Sequence, residues 1–184
     1  GLPVLPIFIF DPNILGELPK DDARVTFIQQ LLAKINTQLQ SVHRSLAVFH
    51  DTPEAVFRQL AGQYDIDTVF TNHDYEPYAR QRDKAVYQVF KEKDIAFKTY
   101  KDQVIFERNE VAKDDGKPYV VYTPYANKWL ETFRNRPLVN FASEKLLDNL
   151  LAHNHRFLQL ADIGFKTSTV AVPDFDVSRP LIQH

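Results

Sequence analysis

The strongest constraint on the fold of this chain is a repeated change of period: short runs of continuous apolar residues give way to longer segments whose apolar residues return every three or four positions. Val4-Leu5-Pro6-Ile7-Phe8-Ile9-Phe10 is apolar on both faces, as a strand buried inside a parallel sheet must be, and Asp11-Pro12-Asn13 stops it. From Asp22 to Val42 the period is helical: Val25, Ile28, Leu31, Leu32, Ile35, Leu39 and Val42 form the apolar stripe, and Gln29, Gln30, Lys34 and Gln38 fill the other face. A second strand is expected over Leu46 to Phe49. Thr52 and Pro53 then supply a cap and a first helical residue for a helix that reaches Ala61 and ends at Gly62. A third strand, Thr68 to Phe70, runs into the polar stretch Thr71-Asn72-His73-Asp74-Tyr75-Glu76, after which Pro77 opens a helix that buries Val86, Val89 and Phe90. Ile95 to Phe97 is the fourth strand. Strand and helix alternating in this way predict the α/β class: an open parallel sheet with helices on both faces, joined by right-handed crossovers.

Beyond Tyr100 the pattern loosens. Val104-Ile105-Phe106 is followed by a polar turn around Asp114-Asp115-Gly116, and Thr123-Pro124 reads as cap plus first residue of a helix through Trp129 and Phe133. Residues 1–134 are therefore assigned to the α/β domain. Residues 135–184 are assigned to a short helix over Ser143 to His153 and a linker, because Pro173-Asp174-Phe175 and Arg179-Pro180 are extended in character. The chain is expected to be a fragment whose end leads to something absent.

Composition excludes several classes. At 184 residues, 44% hydrophobic and with a net charge of −2, the chain can bury a core and is not a disordered tail. The slight acidity argues against a dedicated DNA binder, which needs clustered excess Lys and Arg to neutralise phosphates. No apolar run approaches the ~20 residues that cross a bilayer, and no membrane partner is expected. The absence of cysteine removes disulfides, thiolate nucleophiles and Cys-ligated zinc, which together with the lack of a leader pattern points to a cytoplasmic location.

Known chemistries are mostly unsupported. The five glycines are scattered, at positions 1, 16, 62, 116 and 164, so neither a dinucleotide fingerprint nor a phosphate-binding loop can be built. His153 and His155 lack a nearby carboxylate or cysteine and read as a solvated helix end rather than a metal site. Asp114 and Asp115 belong to a turn that needs Asp and Gly for its geometry alone. No serine lies in the strand-turn-helix setting of a nucleophile elbow. The segment from Asn72 to Asp83 is different, because it follows the carboxyl end of a strand, where open α/β sheets bind ligands. Asp74 and Glu76 beside Tyr75 and Tyr78 can hydrogen-bond to and stack on a planar heterocycle, and Arg80 and Arg82 can pair with acids. Spacing alone favours the plainer alternative, a helix cap followed by an internal ion-pair cluster.

Four stretches in order, Ile7 to Leu15, Asp22 to Phe27, Asn72 to Asp83, and Tyr122 to Tyr125 with Trp129, resemble the amino-terminal domain of class I DNA photolyases and cryptochromes. The resemblance implies a Rossmann-like domain that lies against an FAD-binding helical domain of the same protein. It also implies a second, light-harvesting pigment, a deazaflavin, flavin or folate, whose excitation passes to the FAD. Reduced FAD in that absent domain would then split pyrimidine dimers in UV-damaged DNA, so no catalytic residue falls within this chain. In deazaflavin-type members the positions matching Phe10, Asp11, Arg24, Asp74 and Glu76 surround the pigment. Folate-type members carry an Asn-Glu pair where this chain has Tyr78-Ala79, which weakens a folate assignment. The family begins with one further strand and helix; a chain starting at the second strand is expected to form a homodimer or a distorted sheet. A cryptochrome-type light sensor and a free-standing nucleotide- or pigment-binding module are the alternative functions.

Overall fold

The structure is a computed structural model that describes residues 1–107, 109–136, 139 and 141–170. Four short parallel strands alternate with helices. In chain order they are β1 (Ile7–Ile9), α1 (Pro12–Leu15), α2 (Ala23–Gln40), β2 (Ala47–Phe49), α3 (Pro53–Gln63), β3 (Thr68–Asn72), α4 (Pro77–Glu92), β4 (Ala96–Tyr100) and α5 (Tyr122–Asn135). The strands form two pairs rather than one sheet: β1 with β2, matching Phe8 to Val48, and β3 with β4, matching Phe70 to Lys98. Among the described residues β1 and β3 each have a single strand partner. The chain divides into two compact units, one comprising Gly1–Val56 and Ser143–His184, the other Phe57–Ala142.

In the first unit the core gathers Phe10, Leu15, Val25, Leu32, Leu39, Leu46 and Val48 with Ile163 and Phe165, which arrive from far along the chain. Several points between residues 149 and 168 are bonded to the opening segment of the chain. Val4 bridges to Leu150, Lys166 N donates to Lys20 O at 2.7 Å, and Ser168 N donates to Thr26 Oγ1 at 3.0 Å. Instead of the short helix expected over Ser143 to His153, two 3₁₀ segments form, Ser143–Asn149 and Leu160–Ile163. Gly164 closes the second in the left-handed region at φ 75°. The linker expected around Pro173 to Pro180 lies outside the described residues.

Helix α2 departs most from its sequence pattern. Asp22 caps it by accepting from Arg24 N at 2.9 Å, and its buried side is Val25, Thr26, Gln29, Leu32, Asn36 and Leu39. Ile28, Leu31 and Ile35, expected in the stripe, are exposed together with Phe27. The polar residues on the inward side are there because each has work: Asn36 Oδ1 accepts from Leu46 N at 2.9 Å, and Gln29 Nε2 donates to Gln159 Oε1 at 3.3 Å. Buried amides paired in this way avoid the ~1–3 kcal/mol cost of an unsatisfied group.

In the second unit α4 turns Ala79, Val86, Val89 and Phe90 inward, and Phe90 meets the rings of Phe57 and Phe97 at 4.9 and 5.3 Å. Because α4 has no side-chain cap, burial holds it: each such large apolar side chain contributes ~1.5–3 kcal/mol, more than the ~1 kcal/mol of a cap. Gly62 does not end α3; it lies in its last turn. Thr123 does not cap α5, which starts one residue earlier behind Val121. Trp129 stacks on Phe133 at 5.2 Å and meets Phe106 edge-on. The Asp114-Asp115-Gly116 turn is structural, closed by Lys113 N to Lys117 O at 2.9 Å and by Gly116 at φ 77°.

Candidate functional site

The parallel register of β3 and β4 sets Thr71 beside Thr99 and Asn72 beside Tyr100, and His73 N extends the ladder by donating to Tyr100 O at 2.6 Å. His73 therefore leaves the strand end with its ring over β4, where Nε2 lies 2.7 Å from Thr99 Oγ1 and Nδ1 lies 2.8 Å from Glu107 Oε1. Two residues on, the Tyr75 hydroxyl donates to the other oxygen of the same carboxylate at 2.5 Å. Between them, Asp74 Oδ1 accepts from Glu76 N at 3.1 Å, an Asx turn that leads into Pro77, the first residue of α4. Glu76 takes the extended cap conformation but makes no side-chain capping bond.

The electrostatics follow from these bonds. Donation to Glu107 pushes the Tyr75 phenol up to about 12, since losing its proton would leave two anions face to face. The same bond, with that from His73, holds Glu107 below the usual carboxylate range against a smaller opposing effect of desolvation. Glu107 is braced in turn: its N donates to Glu110 Oε2 at 2.7 Å, and Lys101 Nζ holds that oxygen at 2.7 Å. Lys101 is also the main cause that lowers Glu110. Further along α4, Arg82 pairs with the adjacent Asp83 at 2.8 Å, an ion pair within the segment where spacing favours an ion-pair cluster.

The residues singled out by resemblance divide between the units, Phe10, Asp11 and Arg24 in the first and Asp74 and Glu76 in the second. Phe10 is a core side chain, packed edge-on to Phe8 at 4.9 Å, and its N donates to Phe49 O at 2.8 Å. Asp11 is buried and caps α1 by accepting from Asn13 N at 2.9 Å. Arg24 forks onto Asp22, with Nε 3.0 Å from Oδ1 and Nη2 2.7 Å from Oδ2. That guanidinium draws the Asp22 carboxyl down to about 2. Asp74 and Glu76 thus share one turn, and Phe10 and Asp11 share the end of β1.

Sequence reasoning gave no role to Glu107 or Thr99. Glu107 lies 34 residues beyond His73 in the segment where periodicity fades, so no local pattern marks it. Only the strand register, with Thr99 facing Thr71, could have brought Thr99 beside His73. His153 and His155 are engaged within the first unit: His153 Nδ1 accepts from His155 N at 3.1 Å, so its Nε2 carries the proton donated to Ser45 O at 2.9 Å. Desolvation, then the neighbouring His153, lowers the affinity of His155 for a proton.

Parallel strand pairs alternating with helices, the β3–β4 pair carrying a polar, aromatic turn at its carboxyl end, define an α/β domain, and open α/β sheets take ligands at that edge. Comparison with known proteins makes this specific. Residues 1–143 match the DNA photolyase family model, and the chain belongs to that family. It is 30% identical over 173 residues to the deoxyribodipyrimidine photo-lyase of Halobacterium salinarum, an alignment covering 94% of this chain and 36% of that protein. Among solved structures, the Sulfolobus tokodaii photolyase with two FAD molecules aligns at TM-score 0.50 and 28% identity, over 60% of this chain and 27% of that one. A Synechocystis cryptochrome aligns at TM-score 0.62 and 18% identity, over 71% of this chain and 28% of that one, which shows the shared fold. The chain thus spans about a third of the length of these relatives or less. No helix among the described residues is long and apolar enough to cross a membrane.

Proposed function

We propose that this chain is the antenna-binding domain of a deoxyribodipyrimidine photolyase, working in the cytoplasm as part of an enzyme that reverses UV-induced pyrimidine dimers in DNA. The observation that carries the reading is the turn after β3. In a chain of this family, it gathers the carboxylates of Asp74 and Glu76 and the exposed rings of Tyr75 and Tyr78 in one short stretch at the carboxyl edge of a parallel strand pair. That donor set suits a flat, nitrogen-rich heterocycle, whose faces stack on phenol rings and whose N–H groups donate to carboxylate oxygens. A flavin or deazaflavin fits it, and the two FAD molecules of the Sulfolobus tokodaii photolyase make FAD a natural first probe. When bound, such a pigment absorbs near-ultraviolet or blue light and hands the excitation to the FAD of a helical domain, which performs the repair.

The chain's own residues do simpler work. Asp74 and Glu76 orient the heterocycle through its ring N–H groups, and Tyr75 and Tyr78 screen it from water. In the first unit, Asp11 and Arg24 are already committed to helix caps and Phe10 to the core. The lesion stays outside this domain, since a stacked base must be flipped into the flavin pocket before electron transfer can reach it.

The test is a fluorescence titration of the chain with FAD, a deazaflavin and methenyltetrahydrofolate, repeated on a Asp74→Ala/Glu76→Ala double variant. Loss of about one hydrogen bond to a charged acceptor per substitution, ~1.5–3 kcal/mol each, predicts affinity weaker by 100-fold or more with unchanged far-ultraviolet circular dichroism. Equal affinity of the two proteins would refute the assignment, and an unfolded variant would show that the two carboxylates serve the structure of the turn.

A further inference from the structure

We infer that Glu107 is a positioning residue of the pigment site, which holds the turn between β3 and α4 in the shape that presents Asp74 and Glu76; the inference rests on the reading of that turn as the pigment contact. The turn is only residues 73–76, and its two ends are fixed by backbone bonds, His73 N to Tyr100 O and Arg80 N to Glu76 O. Its middle is not. There, His73 and Tyr75 flank Asp74, and both side chains converge on the two oxygens of one carboxylate. Asp74 is thereby bracketed by clamped neighbours, and its Oδ1 is aligned by Glu76 N.

The clamp is built in layers. Glu107 N donates to Glu110 Oε2, Lys101 Nζ pins that same oxygen, and Lys101 Nζ also donates to Ile105 O at 3.0 Å. Such second-layer support is what a preorganised site needs, because a turn that is already ordered spares the ligand the cost of ordering it. The chemistry also calls for an ionised carboxylate. Two donors, an imidazole N–H and a phenol O–H, need two acceptor oxygens at once, and the lowered proton affinity of Glu107 supplies them throughout the neutral range. An amide offers one acceptor oxygen, so Glu107→Gln keeps one clamp bond well and the other poorly, whereas Glu107→Ala keeps neither.

The experiment titrates FAD and a deazaflavin into wild type, Glu107→Gln, Glu107→Ala and the Asp74→Ala/Glu76→Ala double variant, reading affinity and the visible absorption maximum of the bound probe. The expected order is graded: affinity about 3-fold weaker for Glu107→Gln and about 10-fold weaker or more for Glu107→Ala, with the band displaced toward that of free pigment as the turn loosens. A residue needed for folding alone would lower the folded fraction without moving the band. Unchanged affinity and band in Glu107→Ala, while the double variant loses binding, would overturn the positioning role and leave the pigment reading standing. Failure of both probes to bind wild type, or full binding by every variant, would overturn both. If Glu107→Ala does not fold, Tyr75→Phe decides: the loss of one clamp bond predicts about 3-fold weaker binding, and wild-type affinity would refute the role.

Discussion

Phe165 gives the sharpest test of how the first unit is built, because it lies 155 residues beyond Phe10 (165 − 10) yet belongs to the core of the opening strands and helix. Its side chain is 3% exposed, Lys20 Nζ lies 4.8 Å above the ring, and Phe165 N donates to Leu160 O at 2.9 Å, which fixes the ring's approach through the Gly164 turn. Truncation to alanine removes nearly the whole of a buried aromatic side chain, a change that costs ~3–5 kcal/mol. Over a urea slope of ~1.5 kcal/mol per molar, that moves the unfolding midpoint by ~2–3 M, out of a total stability of only ~5–15 kcal/mol. Urea titration followed by far-ultraviolet circular dichroism measures it directly. Phe165→Leu, which preserves most of the volume, should cost less than ~1.5 kcal/mol and shift the midpoint by no more than ~1 M. A midpoint for Phe165→Ala within about 0.3 M of wild type, below even the cost of a conservative change, would refute the packing of this segment into the first unit.

Three further outcomes are expected. Asn36→Ala leaves the buried Leu46 N–H without its acceptor and should destabilise by ~1–3 kcal/mol in the same urea assay, whereas an exposed α2 position such as Gln30→Ala should change little. In ultraviolet titration Tyr75 should ionise only near 12, well after ordinary tyrosines near 10, and both Tyr75→Phe and Glu107→Ala should abolish that late step. The Asp22 carboxyl, lowered from 3.8 to about 2 by Arg24, adds stability that is full above 3.8 and is lost as pH falls toward 2. Asp22→Asn should therefore flatten helical ellipticity between pH 5 and 2, and a variant as acid-sensitive there as wild type would disprove the pairing.

Local signals were legible where local physics decides. The Thr52-Pro53 start of α3, the Asp-Gly turn at 114–116 and the strand-helix alternation all follow from cap, turn and periodicity chemistry within a few residues. Helix α2 shows where that logic stops. Its inward side was set by long-range partners, with Gln29 matched to Gln159 and Asn36 to the Leu46 N–H, so amides displaced Ile28, Leu31 and Ile35 from the buried stripe. Ile163 and Phe165 gave no periodic signal because they sit at the end of a 3₁₀ turn and just past the Gly164 that closes it. In the candidate site, the Asn72 to Asp83 segment was visible as chemistry at a strand end. Its support was invisible, since Glu107 is joined to it by side-chain bonds across 32 and 34 residues. The plainer alternative of a helix cap and an ion-pair cluster is met in part: Arg82 pairs with Asp83, whereas α4 has no side-chain cap and Asp74 closes an Asx turn beside the exposed carboxylate of Glu76.

The central claim, that this member of the photolyase family binds a light-harvesting pigment, is tested most directly by the near-ultraviolet and visible absorption spectrum of the purified chain, before and after incubation with FAD or a deazaflavin and removal of excess by gel filtration. Protein alone absorbs almost nothing beyond 320 nm, roughly, because its chromophores are the aromatic rings. The account predicts a pigment band that co-elutes with the protein and is lost in the Asp74→Ala/Glu76→Ala variant. A folded wild-type chain that elutes with a featureless spectrum after both incubations would contradict it.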